Sequence, residues 1–183
     1  MYINTGCPSM WGLTKDHCLR IPNQKSKDVI FTLTDYRRQP IDDLNMIRLL
    51  EKRYRKLYFW AQGSNDLKYL SDLMGSNYLT QIKLIGPSLI SYDYILNNIE
   101  SIDYVGTRLH AGIRAIQMGK RAIIIGVDNR AIEKRKDFNL HVIDRGDIKI
   151  LDQSICNKFD TQLYIPLDRI SKWKSQFLTH AFE

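Results

Sequence analysis

The run Gly106-Thr107-Arg108-Leu109-His110 holds the residue types from which an anion-handling acid–base site is built. Gly106 permits a sharp exit from a strand. Thr107 suits a helix N-cap, which would place Arg108, Leu109 and His110 in the first helical turn. The unsatisfied backbone N–H groups and the dipole of such a terminus attract anions. Arg108 adds a planar fork matched to carboxylate or phosphate. His110 can give or take a proton near neutral pH. Arg114 stands one turn beyond His110, and Gln117 one turn beyond that, on the same face. A histidine in a first helical turn serves equally as a surface or capping residue, so its place in the fold has to decide.

Three other stretches carry chemistry-bearing side chains. Asp35-Tyr36-Arg37-Arg38 follows an apolar run, where Arg37 can bind an anion or sit in a solvated loop and Asp35 can simply form a turn. Asp128-Asn129-Arg130 follows another, with Asp128 an N-cap or, with Arg130, part of a substrate site. Gly63-Ser64-Asn65-Asp66 resembles a phosphate-binding turn but lacks both the dinucleotide fingerprint and the P-loop pattern, so a tight turn with a cap is the simpler reading. Cys7, His17 and Cys18 lack the paired spacing and the fourth ligand of a structural zinc site, and no metal is expected.

The elements that would position these residues alternate. Apolar, β-branched or aromatic runs at 29–34, 57–61, 82–85, 102–106, 122–127 and 141–143 read as strands. Helical periodicity falls between them: from Pro40 with Ile41, Leu44, Ile47 and Leu50; after Gly63; over 88–97; over 109–118, stopped by Gly119; over 130–138; and at the end over 166–181. Such alternation predicts an α/β fold with a doubly wound, mainly parallel sheet of about six strands, in the order 3-2-1-4-5-6. Ligands of such sheets bind beyond the strand carboxyl ends where the order reverses, here between the first and fourth strands. That rule brings the arginines after the first strand and the Gly106–His110 run to one crevice. Residues 1–27 are turn-rich and read as a connector, leaving 28–183 as the domain.

Composition narrows the class. The 183 residues are 44% hydrophobic and 26% charged, as in a folded globular domain. No apolar run reaches the ~20 residues of a membrane span, and the N-terminus lacks the basic and apolar regions of a signal peptide. Three widely spaced cysteines argue against a disulfide framework and for a reducing compartment. The net charge of +7 and pI near 9.3 raise nucleic-acid binding. The cations are scattered in small clusters, however, and no nucleic-acid motif accompanies them. An anionic small molecule or glycan accounts for the charge as well, and solvated helix faces account for most of it.

The stretch Asp103-Tyr104-Val105-Gly106-Thr107-Arg108-Leu109-His110-Ala111-Gly112, continuing through Gly119 to Ile123-Ile124-Ile125 and Asp128-Asn129-Arg130, resembles the signature region of polysaccharide pyruvyl transferases. Thr5-Gly6-Cys7-Pro8-Ser9-Met10-Trp11-Gly12-Leu13-Thr14 is similar to a stretch of one bacterial branch of that family. The resemblance implies the C-terminal Rossmann-like half of a two-half, GT-B-like architecture. It implies transfer of a pyruvyl group from phosphoenolpyruvate to a sugar of a cell-surface polysaccharide, as a ketal, with no cofactor. Arg108 would hold the donor anion and His110 would act as acid. Gly106, Thr107, Arg37, Arg114, Asp128 and Arg130 would complete the substrate site. Where the family often has Asp-x-Lys, this chain has Asp128-Asn129-Arg130, which keeps the charge and changes the geometry. The expected partners are phosphoenolpyruvate, a saccharide acceptor, and an N-terminal half or a second copy meeting an apolar surface near Trp11, Tyr36 and Trp173. The expected location is the cytoplasm or the inner face of the membrane. A nucleotide-sugar glycosyltransferase of similar architecture, or a non-catalytic glycan- or anion-binding half-domain, are the alternatives.

Overall fold

In the computed structural model, which describes residues 3–75 and 78–178, the apolar runs become six short strands. They are β1 (Asp28–Thr32), β2 (Leu57–Trp60), β3 (Ile82–Ile85), β4 (Ile102–Gly106), β5 (Ala122–Gly126) and β6 (Val142–Asp144). All pairings are parallel, and the order is β3-β2-β1-β4-β5-β6. This is the doubly wound, Rossmann-like α/β arrangement that the strand–helix alternation predicts. β1 and β4 are neighbours at the reversal of order, with Thr32 opposite Gly106, so their carboxyl ends are level.

The helices in chain order are α1 (Lys15–Leu19), α2 (Pro40–Arg53), α3 (Ser64–Met74), α4 (Tyr78–Gln81), α5 (Leu89–Asn98), α6 (Leu109–Gln117), α7 (Asn129–Phe138), α8 (Ile148–Cys156) and α9 (Leu167–Leu178). Strand side chains alternate between two apolar layers. Val29, Phe31 and Leu33 join Ile47, Leu50, Leu70, Leu151 and Ile155 on the α2, α3 and α8 side. Ile30, Tyr104 and Ile124 join Tyr92, Leu96, Ile113 and Ile116 on the α5 and α6 side. β1 and β4 are buried along their whole length, as a central parallel strand requires.

Several features differ from the sequence reading. The ladder of β1 stops at Thr32; Leu33 and Thr34 continue buried, but their polar groups serve the site described below. Residues 3–27 supply no strand, yet they are more than a connector. Met10, Leu13, Cys18 and Ile21 are buried in the α5–α6 layer, and His17 Nε2 lies 2.7 Å from the carbonyl of Ile116. α8 has no counterpart among the helices expected from the sequence, although Ile148, Leu151 and Ile155 recur at helical spacing; it packs against α2, with Arg53 clasping Asp152 through two bonds of 2.6 and 2.7 Å. α9 forms where expected, and the residues beyond 178 that the same reading included lie outside the described ones. Its apolar side is mostly uncovered: Ile170 is buried, whereas Leu167 and Phe177 are exposed and Trp173 meets Trp11 edge to face at 5.2 Å.

Candidate active site

Gly106 closes β4 against Thr32. A Cβ on Gly106 would lie 2.5 Å from Thr32 Oγ1 and 2.7 Å from Thr32 N, so only glycine permits this approach of β1 and β4. The Thr32 hydroxyl lies 2.7 Å from the Tyr104 hydroxyl, which donates to the Arg108 carbonyl at 2.8 Å; the Arg108 N–H donates to Thr32 Oγ1 at 3.2 Å. With the tyrosine proton committed to that carbonyl, Thr32 donates to the tyrosine oxygen and the ring of bonds is complete. Burial pushes the Tyr104 phenol well above its ordinary range, so it remains a donor.

That ring decides where the helix begins. Both polar groups of the Arg108 peptide are fixed, and Arg108, in extended conformation, is the N-cap of α6. Thr107 is therefore not the cap. Its hydroxyl sits 2.9 Å from Thr34 Oγ1, and its N–H donates to the Thr32 carbonyl at 3.2 Å, so it extends the β1–β4 seam. The first turn is accordingly Leu109, His110 and Ala111. Among the described residues no side chain caps the N-terminus of α6, which leaves its N–H groups available to an anion.

Beyond this terminus opens a cavity of about 390 Å³, lined by Tyr36, Gln62, Thr107, Arg108, Leu109, His110, Val127, Asp128, Arg130 and Ala131. It lies at the carboxyl ends of β1, β4 and β5, the crevice that the strand order predicts. His110 is exposed, with its Nε2 3.9 Å from Cys7 Sγ.

Arg108 is heavily engaged. Its Nε donates to the Leu33 carbonyl at 3.1 Å, and its Nη2 donates to Asp35 at 3.1 Å and to Asp66. Asp66 is buried and also accepts from the N–H groups of Gln62 (3.0 Å) and Gly63 (3.3 Å). The Gly63–Asp66 stretch is thus a capped tight turn whose carboxylate also holds Arg108. No bond of Arg108 Nη1 is made within the described residues, and Arg108 lines the cavity. Sequence reasoning missed this clamp because its partners are distant in the chain.

Asp128 caps α7, accepting from the Arg130 N–H at 3.0 Å. The Arg130 guanidinium donates to Asp128 at 2.6 Å and to the Tyr36 hydroxyl at 2.7 Å, and it holds the Asp128 carboxyl below the usual carboxylate range. Tyr36, unassigned from sequence beyond a surface aromatic, is therefore part of the wall.

Two named residues fall elsewhere. Arg37 reaches the Val127 carbonyl at 3.4 Å from a separate depression of about 530 Å³, shared with Arg38 and Arg145, across the β5–α7 loop. Arg114 grips Asp93 through bonds of 2.9 and 2.7 Å and bonds Gln117, so its side chain turns toward α5 and away from the cavity. Cys7, His17 and Cys18 do not converge, and among the described residues no three His, Cys, Asp or Glu side chains are placed to hold a metal. No helix of the described residues is long and apolar enough to cross a membrane.

Set against known proteins, the chain matches no family model, and no similar curated protein or solved structure is found.

Proposed function

We propose that this chain is a polysaccharide pyruvyl transferase-like domain whose carboxyl-edge cavity holds phosphoenolpyruvate for transfer of its pyruvyl group to a sugar. The observation that carries the reading is the exposed His110 in the first turn of an uncapped helix, opening on a cavity with Arg108 and Arg130 in its wall. Asp35, Asp66 and Asp128 already pair with these two guanidiniums, so an anion here relies on the α6 terminus and on the unbonded edge of Arg108. The α6 N–H groups and Arg108 Nη1 receive phosphate or carboxylate oxygens. The Asp35 and Asp66 carboxylates keep the Arg108 fork in one orientation. Protonation of the donor methylene by His110 creates positive character at the adjacent carbon, which a sugar hydroxyl attacks. A second hydroxyl closes the ketal as phosphate leaves. Arg130, Tyr36 and Asp128 line the same cavity, and Asp128 is able to accept from a sugar hydroxyl.

The test is phosphate release from phosphoenolpyruvate in the presence of saccharide acceptors. His110→Ala should lower turnover by roughly 10²–10⁴-fold while leaving donor affinity nearly intact. Near-normal turnover in that variant would reduce His110 to a surface residue. Donor binding with no phosphate release from any acceptor supports the anion-binding half-domain, and displacement of the donor by a nucleoside diphosphate supports a glycosyltransferase.

A further inference from the structure

The exposed ring of His110 has a thiol beside it that no step above uses. Cys7 is half-buried, and its Sγ lies 3.9 Å from His110 Nε2 and 3.0 Å from Ser9 Oγ. The approach is built into the fold. Gly6 adopts a φ of +70 with its Cα against the Phe138 ring of α7, where a Cβ would lie 2.2 Å from the ring. Trp11 Nε1 donates to the Thr5 carbonyl at 3.0 Å, the Gln117 amide donates to the Ser9 carbonyl, and Met10 is fully buried. Contacts on both sides of Cys7 therefore hold it against the helix that carries His110.

We propose that Cys7 and His110 form a thiol–imidazole pair beside the cavity, with Cys7 the nucleophile toward an electrophilic carbon of a bound anionic substrate. His110 Nε2 receives the thiol proton, and the resulting thiolate is the attacking species. The ligand class is a small anion with an electrophilic or activated alkene carbon. The pair itself does not depend on the donor proposed above. Its substrate step does rest on that reading. There, the sulfur adds to the carbon that bears the phosphate, and the proton held by His110 goes to the methylene. The carbon–carbon π bond is consumed, one C–S and one C–H bond form, nothing is oxidised or reduced, and no group leaves. The thiolate departs later, when an acceptor hydroxyl takes its place.

The other two cysteines are internal controls. Cys18 is buried, and Cys156 is exposed with its thiol near Asp152. If exposure alone governs reactivity, Cys156 reacts first. The experiment is site-resolved alkylation of the intact protein by iodoacetamide, read by peptide mass spectrometry. Cys7 should be alkylated about tenfold faster than Cys156, and His110→Ala should remove the difference. His110→Gln, which keeps a polar side chain at the same surface position, should behave like alanine. Cys7 reacting no faster than Cys156, or at an unchanged rate in both variants, overturns the pair. A second arm measures the intact mass after incubation with phosphoenolpyruvate. An added mass of one donor molecule in the native chain, absent in Cys7→Ser, supports the step. Rapid, His110-dependent alkylation with no adduct, although the donor binds, leaves the pair standing and overturns its use on this donor; failure of the donor to bind at all overturns the donor reading alone.

Discussion

β4 carries an arginine–aspartate assembly at each end, and the two are built differently. At its amino end Asp103 pairs with Arg121 at 2.8 Å, both fully buried, and Asp103 also accepts from Tyr54 at 2.8 Å and from the Ser26 N–H at 3.2 Å. Arg121 Nη2 donates to the carbonyls of Ser154, Ile155 and Asn157, and the guanidinium stacks over Phe159 at 4.2 Å, while Arg121 Nε and Asp103 Oδ1 are buried without a hydrogen-bond partner among the described residues. At the carboxyl end Arg108 pairs with Asp35 and Asp66, remains 20% exposed, and lines a cavity. The first assembly ties α8 and the 23–28 stretch to the sheet and offers nothing to a ligand. The second orients a cation that still faces solvent. Similar pairs thus serve cohesion at one edge and, in the proposed function, recognition at the other, and access rather than residue type separates the two.

The comparison breaks most visibly if the amino-end pair is cut. Arg121→Met leaves Asp103 charged in a dry site and should cost about 3–5 kcal/mol in urea unfolding. Adding Asp103→Asn removes the stranded charge and should recover part of the loss. A cost below about 1 kcal/mol for the single variant would mean that the pair does not hold the amino edge.

The same edge should also make stability depend on pH. Burial, reinforced by the Arg121 charge, pushes the His141 imidazole down to about 4, and its ring stacks on Phe159. Between the unfolded value near 6.5 and the folded value the unfolded chain binds more protons, so stability falls as pH falls through this window. The full loss is roughly 3 kcal/mol. His141→Phe should flatten that part of the stability–pH curve; an unchanged curve would assign the dependence to other groups.

At the carboxyl end the stability effect should be smaller and the binding effect larger. Arg108→Ala leaves Asp66 its two backbone donors and lets Asp35 hydrate, so it should cost roughly 1–3 kcal/mol of stability. Donor affinity, read by isothermal titration, should fall about ten- to a hundredfold, and Arg108→Lys should restore only part of it. Arg114→Ala gives the contrast on the same helix. The Arg114–Asp93 pair is part-exposed and outside the cavity, so its loss should change stability by at most about 1 kcal/mol and leave donor affinity unchanged. Donor binding that responds to Arg114 and not to Arg108 would invert the assignment.

How far the sequence could be read follows from the range of the interactions. The strand runs, the order of the sheet and the crevice between β1 and β4 rest on local periodicity and general topology, and all three are legible. Asp128 as the cap of α7 is local and legible as well. The Arg108–Asp66 clamp, the Thr32–Tyr104–Arg108 ring and the Cys7–His110 approach join residues 42, 72 and 103 positions apart, which no spacing rule connects. The misplacement of Thr107 has the same origin: a good N-cap residue was drawn into the β1 seam by Thr34. Arg114 shares a helical face with His110 in periodicity, but Asp93 on α5 draws its side chain away.

The central claim is that the cavity between β1 and β4 binds the donor through the α6 N-terminus. A 1H–15N correlation titration of the chain with phosphoenolpyruvate tests it residue by residue. The account predicts that the backbone amides of Leu109, His110 and Ala111 shift most and saturate together, with the Tyr36 and Arg130 amides following, while those around Asp103 and Arg121 remain still. Shifts centred on Arg37, Arg38 and Arg145, or no saturable shift at the start of α6, would contradict it.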